Sequence, residues 1–382
     1  MEIGRSKRSR ETTMLTHADL RKLEQELRSA QVLSVYLDGR MNDPADRRQW
    51  RQTLRNALRD LNATLEEKDR EIRDALAECV QRLDDVLPPE GTALGTVGWV
   101  GFVTRDGIHH AQGVPLPMPT MVRFAQGPWL SPYVRALKED REVVIALADA
   151  SGARLLSYRG GQLMPVAHIE GRQVDIEVNH MGEAPRDGFH PGVRGETGRD
   201  RAQRARNAAI EGMVSEIVGR LAPYAARETW MIVGGSPVVA RMVEDALHER
   251  FGDRLTHIPS LRIDATDAEV AAMARQAGSM LTEALDLAVI NRVADSLAFT
   301  GQGVMGRLAT TRALEDLRVQ QLYFTHRYLE AHSEEVENAV RSALRQGADL
   351  EEVSGEAAAR LNDYGGIAAT VRFTPALQAS MP

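Results

Sequence analysis

Between His180 and Arg206 the chain reads HMGEAPRDGFHPGVRGETGRDRAQRAR, a long stretch broken by Gly and Pro that runs into helix-favouring sequence. Its far end carries Arg194, Arg199, Arg201, Arg204 and Arg206 against only Glu196 and Asp200. A guanidinium is a planar, permanently charged fork that holds phosphate oxygens two at a time. At a helix start the free backbone N–H groups and the dipole add to that attraction. The chemistry expected here is recognition of phosphate, of RNA more than of a metabolite. Gly192, Gly195 and Gly198 would let the backbone approach closely, and His190 could stack on or hydrogen-bond a base. On the residues alone the alternative is a solvated helix face with Glu196 and Asp200 as local partners.

Other residue sets that invite a catalytic reading fall away on context. Gly301, Gly303 and Gly306 match the dinucleotide fingerprint. No convincing βαβ unit surrounds them, and QQLYFTH ends its strand without the acidic residue that would hold a ribose. Ser236 sits between a strand and a helix, but GGSPV lacks the second glycine of a nucleophile elbow. It reads as a helix N-cap with Pro237 at the first helical position. Gly160-Gly161-Gln162 lies between the strand patterns ARLLSY and LMPVAHI, where a tight hairpin needs residues that tolerate positive φ. His168, His180 and His190 are scattered rather than set at metal-ligand spacing on one helix. No catalytic residue, metal or cofactor is expected.

The elements that must position the arginines follow from composition and pattern. The chain has 382 residues, 43% hydrophobic and 26% charged, enough for two or three cores. A net charge of −7 excludes a protein that coats nucleic acid by bulk electrostatics, so any RNA contact must be local and shape-directed. One cysteine, Cys79 in LAECVQRL, excludes an internal disulfide and a multi-thiolate zinc cluster, and is expected in a core. The basic start MEIGRSKRSRETT has no apolar run behind it, and no later run approaches a membrane span. A cytoplasmic protein, a monomer without membrane contact, is expected.

The predicted fold class is α/β with three domains. Residues 1–15 read as a flexible start and 16–138 as an N-terminal α/β domain. Thr16-His17-Ala18-Asp19 signals a helix, Val32 to Leu37 a strand, Pro44 to Leu87 a charged helical region, and Thr96 to Thr104 with Ile108 to Val114 two strands. Residues 139–293 read as a central mixed-sheet α/β domain with the Arg-rich loop at 180–206. Strands at 143–148, 153–158 and 163–170 precede the loop, and a helix over 199–224 puts Ala205, Ala209, Ile210, Met213, Ile217 and Leu221 on one apolar stripe. TWMIVGG is a buried strand with a helix after it, and a helix near 266–293 closes the unit. Residues 294–376 read as a C-terminal α/β sandwich-like domain, and 377–382 as a tail. Its acidic helix start, with Glu334, Glu335 and Glu337, reads as solvated or as a face for a basic partner.

Three stretches in this order resemble the family of archaeal and eukaryotic class I release factors, pelota and their bacterial relatives. SGARLLSYRGGQLMPVAHIEG through the Arg-rich loop to IVGGSPVVARMVEDAL is similar in layout to the family's second domain. TGQGVMGRLATTRALEDLRVQQLYFTH resembles the entry to its third domain, and GGIAATVRF its closing strand. The resemblance covers about two-thirds of the chain. Release factors carry Gly-Gly-Gln at the tip of that loop, where the glutamine helps position water against the peptidyl-tRNA ester. The matching place here, GVRGETGRDRAQRAR, has no such tripeptide, and the first domain lacks the Asn-Ile-Lys-Ser signature used at stop codons. A member without the tripeptide resembles the hibernation factors of the Balon group. The resemblance implies a ribosome-binding protein in the A site. Its first domain would face the decoding centre, its second the peptidyl transferase centre and ribosomal RNA, and its third elongation factor Tu. A codon-independent release or rescue factor, or an RNA-binding module acting elsewhere, stays open as an alternative.

Overall fold

The computed structural model describes residues 14–40, 49–65, 70–89, 92–171, 198–226 and 229–373, with the backbone alone at 198–202. The chain divides into two compact units, Met1–Asp140 with Thr282–Pro382, and Arg141–Leu281. Three sheets carry them, consistent with the mixed α/β class expected.

The chain opens with α1 (His17–Leu27), whose start is closed reciprocally: Thr16 Oγ1 accepts from Asp19 N at 3.2 Å and Asp19 Oδ2 from Thr16 N at 2.9 Å. β1 (Gln31–Asp38) follows, then α2 (Gln49–Leu65), α3 (Arg70–Val86), β2 (Gly98–Thr104), β3 (Ile108–Val114), β4 (Met121–Gln126) and α4 (Ser131–Glu139). The four strands form an antiparallel sheet in the order β3-β2-β1-β4. β1 is buried from Val32 to Leu37 because both its faces are covered. Leu33, Val35 and Leu37 meet α2 and α3, with Cys79 in that core, while Val32 and Tyr36 face the opposite way with Phe102. β4 and α4 have no counterpart in the sequence reading.

The second unit holds β5 (Val143–Asp149), β6 (Gly152–Arg159), β7 (Gln162–Glu170), α5 (Gly198–Ala225), β8 (Trp230–Gly235), α6 (Pro237–Phe251), β9 (Leu255–His257) and the first part of α7 (Asp267–Phe299). Its sheet runs β7-β6-β5-β8-β9, antiparallel on the β6 side of β5 and parallel on the β8 side. α5 and α6 cover one face over Val144, Ala146, Leu155, Met231 and Val233. Ser236 does cap α6 by position, with Pro237 behind it, but its side chain makes no cap hydrogen bond.

The rest of the chain adds β10 (Gly303–Met305), α8 (Arg307–Glu315), β11 (Val319–Thr325), α9 (His326–Ala331), α10 (Ser333–Arg345), β12 (Asp349–Val353), α11 (Gly355–Asp363) and β13 (Ile367–Val371). Its sheet, β10-β13-β11-β12, is a filling between two helical layers, as expected of a sandwich. Leu322, Phe324 and Val371 face α8 and α10, while Tyr323, Val353 and Ala368 face α7 and α11. Gly303 sits where a Cβ would lie 2.2 Å from Val293 O, so the glycine spacing at 301–306 serves close packing on α7.

The first and third sheets share one core, in which α1 and α4 pack with α8 and α10. The expected boundary between residues 293 and 294 falls inside α7, which runs on to Phe299. Charged groups lock this joint. Glu337 of α10 is fully buried, and its carboxylate accepts from Leu130 N at 2.6 Å and Ser131 N at 3.0 Å, capping α4. At the other end of α4, Lys138 Nζ donates at 2.6 Å to both oxygens of Asp286 and to Glu352 O. The expectation that Glu337 is solvated is therefore corrected: a carboxylate answers the unpaired N–H groups of a helix start 207 residues away in sequence. Glu335 is also engaged, accepting from Tyr328 Oη at 2.8 Å and pairing with Arg307 at 2.9 Å. No helix among the described residues is long and apolar enough to cross a membrane.

Candidate RNA interface

Helix α5 is much longer than the sheet it covers. Its 28 residues span about 42 Å at 1.5 Å per residue, whereas the six- and seven-residue strands β8 and β5 span about 20 to 23 Å. Its far end must deliver the chain to Trp230, whose N–H donates to Glu142 O at 2.9 Å at the head of β5. The surplus length therefore lies at the beginning of the helix. Met213, Val214, Ile217 and Leu221 are buried and Ala209 and Ile210 half-buried, but Gln203 to Ala208 are all exposed. More than one full turn thus has no packed face. Ala205 does not join the apolar stripe as predicted, because the stripe begins only where the sheet begins.

Arg204 and Arg206 lie on this exposed stretch, about 200° apart around the helix axis at 100° per residue. Gly198, Arg199 and Arg201 are on the same helix start, their side chains outside the described residues. His190, Gly192, Arg194 and Gly195 lie outside the described residues altogether. Five of the nine candidate positions thus share about two and a half turns of helix. Four arginines stand there against one aspartate, Asp200. Cations at a helix N-terminus oppose the macrodipole, so this charge works against the helix that carries it. Gln203, the glutamine of this stretch, donates its Nε2 to Asn207 Oδ1 at 3.0 Å along the helix.

The rim beside the departing chain is firmly built. Gly171 leaves β7 against the β5–β6 turn, its N–H donating to Ser151 O at 2.8 Å. That turn is held by Asp149 Oδ1, which accepts from Ser151 N at 2.7 Å and Gly152 N at 3.2 Å. Next to it, Gly235 has φ +115° and a Cβ would lie 1.9 Å from Ala148 O, so the backbones of β5 and β8 meet there as only glycine allows. This is the carboxyl end of the parallel strands, where open α/β sheets place their ligands.

The Gly-Gly-Gln tripeptide is at the opposite end of the sheet. Gly160 and Gly161 have φ of +56° and +80°, and Arg159 pairs with Gln162, giving a two-residue hairpin turn with both central residues at positive φ. The length of β6, eight residues or about 26 Å, separates that turn from Gly171. The hairpin reading of these residues holds. His168 is exposed on β7, and no group of three potential metal ligands occurs among the described residues. The sequence reading passed over one polar cluster, around Arg135, His326 and Glu352 in the first unit, because its members are far apart in the chain.

A central sheet of this order thus delivers the chain into an Arg-loaded helix at the carboxyl end of its parallel strands. Residues 128–279 match the model of the bacterial archaeo-eukaryotic release factor family 10, and this part of the chain is similar to that family. The match takes in nearly all of the second unit and about two-fifths of the whole chain. Among solved structures, the archaeal translation termination factor aRF1 is 17% identical over 94% of this chain and 99% of its own, with a TM-score of 0.26. Pelota of Archaeoglobus fulgidus is 14% identical over 94% of this chain and 93% of its own, with a TM-score of 0.37. Archaeal Pelota, from a model of its ribosome-bound state with ABCE1, is 14% identical over 94% of this chain and 95% of its own, with a TM-score of 0.41. No curated protein matches the chain.

Proposed function

We propose that this chain enters the A site of idle or stalled ribosomes and keeps them silent and protected, without releasing peptide. The observation that carries the proposal is the first part of α5: a helix beginning loaded with arginine against its own dipole, and exposed at every residue from Gln203 to Ala208. Such a start is disfavoured in isolation and becomes favourable against an external polyanion, and ribosomal RNA supplies one. The net charge of −7 makes that attraction local and not a property of the whole surface. Arg194, Arg199, Arg201, Arg204 and Arg206 grip phosphates, Gly192, Gly195 and Gly198 allow close backbone approach, and His190 meets a base. From His180 to Gly198 the segment leading into α5 has no glutamine to orient water at the ester, and the Gly-Gly-Gln tripeptide sits at the far end of the sheet. The action is steric. The N-terminal sheet takes the decoding-centre side, and the C-terminal sheet takes delivery by elongation factor Tu.

The test uses purified full-length protein and ribosomes carrying peptidyl-tRNA. Cosedimentation with the peptide still attached to tRNA is the expected result. Hydrolysis well above the no-factor control, whatever codon fills the A site, would put a rescue hydrolase in place of the hibernation reading. Failure to cosediment at any salt would remove the ribosome from the account and leave an RNA-binding module acting elsewhere.

A further inference from the structure

A cavity of about 550 Å³ opens in the first unit, a volume usual for small-molecule sites. Its walls come from the end of β1, β4, α4, α9 and β12. Two groups in those walls lack the partners their chemistry calls for. Glu352 is 6% exposed; its Oε1 lies 3.7 Å from Arg135 Nη1 and 3.4 Å from His326 Nδ1, and its Oε2 is buried with no hydrogen-bond partner. A buried carboxylate oxygen left unpaired is costly and uncommon, and it asks for a donor. On the β4 side, the Arg123 guanidinium lies 5.5 Å over the Trp129 ring. It donates to Val122 O at 3.2 Å and pairs with no carboxylate among the described residues. The Trp129 backbone is itself fixed, its main-chain N–H donating to Ser34 Oγ at 2.9 Å. Met118, Met121 and Leu329 give the cavity its apolar surface.

We propose that this cavity binds a nucleotide, with the N–H edge of the base on the Glu352 carboxylate and the phosphate on Arg123. One wall requires a donor and another offers a cation on an aromatic plane, so the occupant carries hydrogen-bond donors at one end and an anion at the other. An amino acid has that polarity too, but its ammonium would meet Arg135, which lines the cavity 3.7 Å from the Glu352 carboxylate. A neutral N–H edge meets no such repulsion. Guanine presents two adjacent N–H donors, the complement of one carboxylate, whereas uracil presents a single N–H flanked by two carbonyls that repel it. Guanine is therefore preferred. The same chemistry arrives as a free mononucleotide or as one residue of an RNA strand.

Isothermal titration of the full-length protein with guanosine monophosphate, uridine monophosphate, inorganic phosphate and a trinucleotide with central guanosine tests this. Guanosine monophosphate should saturate one site, with uridine monophosphate at least about ten-fold weaker, the discrimination expected of one bidentate base contact. Glu352→Gln should bring guanosine monophosphate down to the uridine level and leave phosphate binding unchanged. Arg123→Ala, an exposed strand position, should weaken both mononucleotides alike at an unchanged melting temperature, so a folding defect in the first variant leaves the second decisive. Trinucleotide binding tighter than the mononucleotide identifies the ligand as RNA, and equal or weaker binding as a free nucleotide; either result supports the site. Equal affinity for the two bases, no saturation by guanosine monophosphate, or wild-type affinity in both variants would overturn it.

Discussion

In the first unit Glu24, Asp140, Asp286, Arg318, Glu337 and Glu352 are all buried, whereas in the second no charged side chain is buried among the described residues. The first unit joins two sheets that are distant in sequence, and its ions sit at the joint: Glu337 on the start of α4, Lys138 on Asp286, Arg345 3.7 Å from Glu24. Apolar packing of similar volume would hold such a joint at least as strongly, so what buried ions add there is a single geometry. The second unit is one sheet with local helices and an apolar core, and it needs no such lock. Its charge is placed where the helix leaves the sheet. The difference separates a unit built to keep its own shape from one built to present cations outward.

The contrast can be broken first at the joint. Lys138→Met should destabilise the first unit by about 3 to 5 kcal/mol, because it strands the buried Asp286 carboxylate. Chemical denaturation checks this, and a loss below about 1 kcal/mol would show that the ions do not hold the joint. In the second unit, Gly161→Val should cost about 1 to 2 kcal/mol by forcing a β-branched residue to φ +80°, while Gln162→Ala at an exposed strand start should cost nothing measurable. Loss of ribosome binding on Gln162→Ala would return the tripeptide to the functional site.

Acidity sharpens the same contrast. Burial raises the carboxyls of Glu24, Glu337 and Glu352 at the joint of the first unit above the ordinary glutamate range, whereas capping hydrogen bonds lower those of exposed Asp19 in the first unit and Glu269 in the second. A carboxyl raised in the folded state keeps its proton where the unfolded chain has lost it. Stability therefore falls as pH rises from the ordinary value through the raised one, and returns on acidification. These glutamates should add stability to the first unit as pH falls from about 7.5 towards the ordinary glutamate range, against an opposing loss from His110, whose pKa is lowered by burial, and Glu337→Gln should remove part of the gain. Urea melts across that pH range measure it, and an identical slope in parent and variant would contradict the assignment for Glu337.

Much of this was legible where the signal is local. Thr16 and Asp19 announce α1, the apolar runs of β5 and β8 announce central strands, and the adjacent glycines 160 and 161 announce a hairpin. β4 was not, because MVRFAQ shows no clean alternation and is fixed by pairing with β1. α4 escaped for the same kind of reason: its start is capped by a carboxylate from another part of the chain. Glu337 and Glu352 look like ordinary surface acids in sequence, and only the fold buries them. At the candidate interface the arginines were visible at once. The exposure of Arg204 and Arg206 on an unpacked stretch was not, since it depends on α5 being longer than its sheet.

The smallest effect on stability and the largest on function should come from one variant. Arg204→Glu with Arg206→Glu changes two exposed positions on a stretch of α5 with no packed face, so it should leave the melting temperature unchanged. Cosedimentation of this variant and the parent with ribosomes across a salt series is the most direct test. The account predicts markedly weaker binding and a log–log salt slope reduced by about two, one for each phosphate that the two arginines no longer neutralise. Parent-like affinity and slope in a fully folded variant would contradict the claim that the start of α5 is the RNA-binding element.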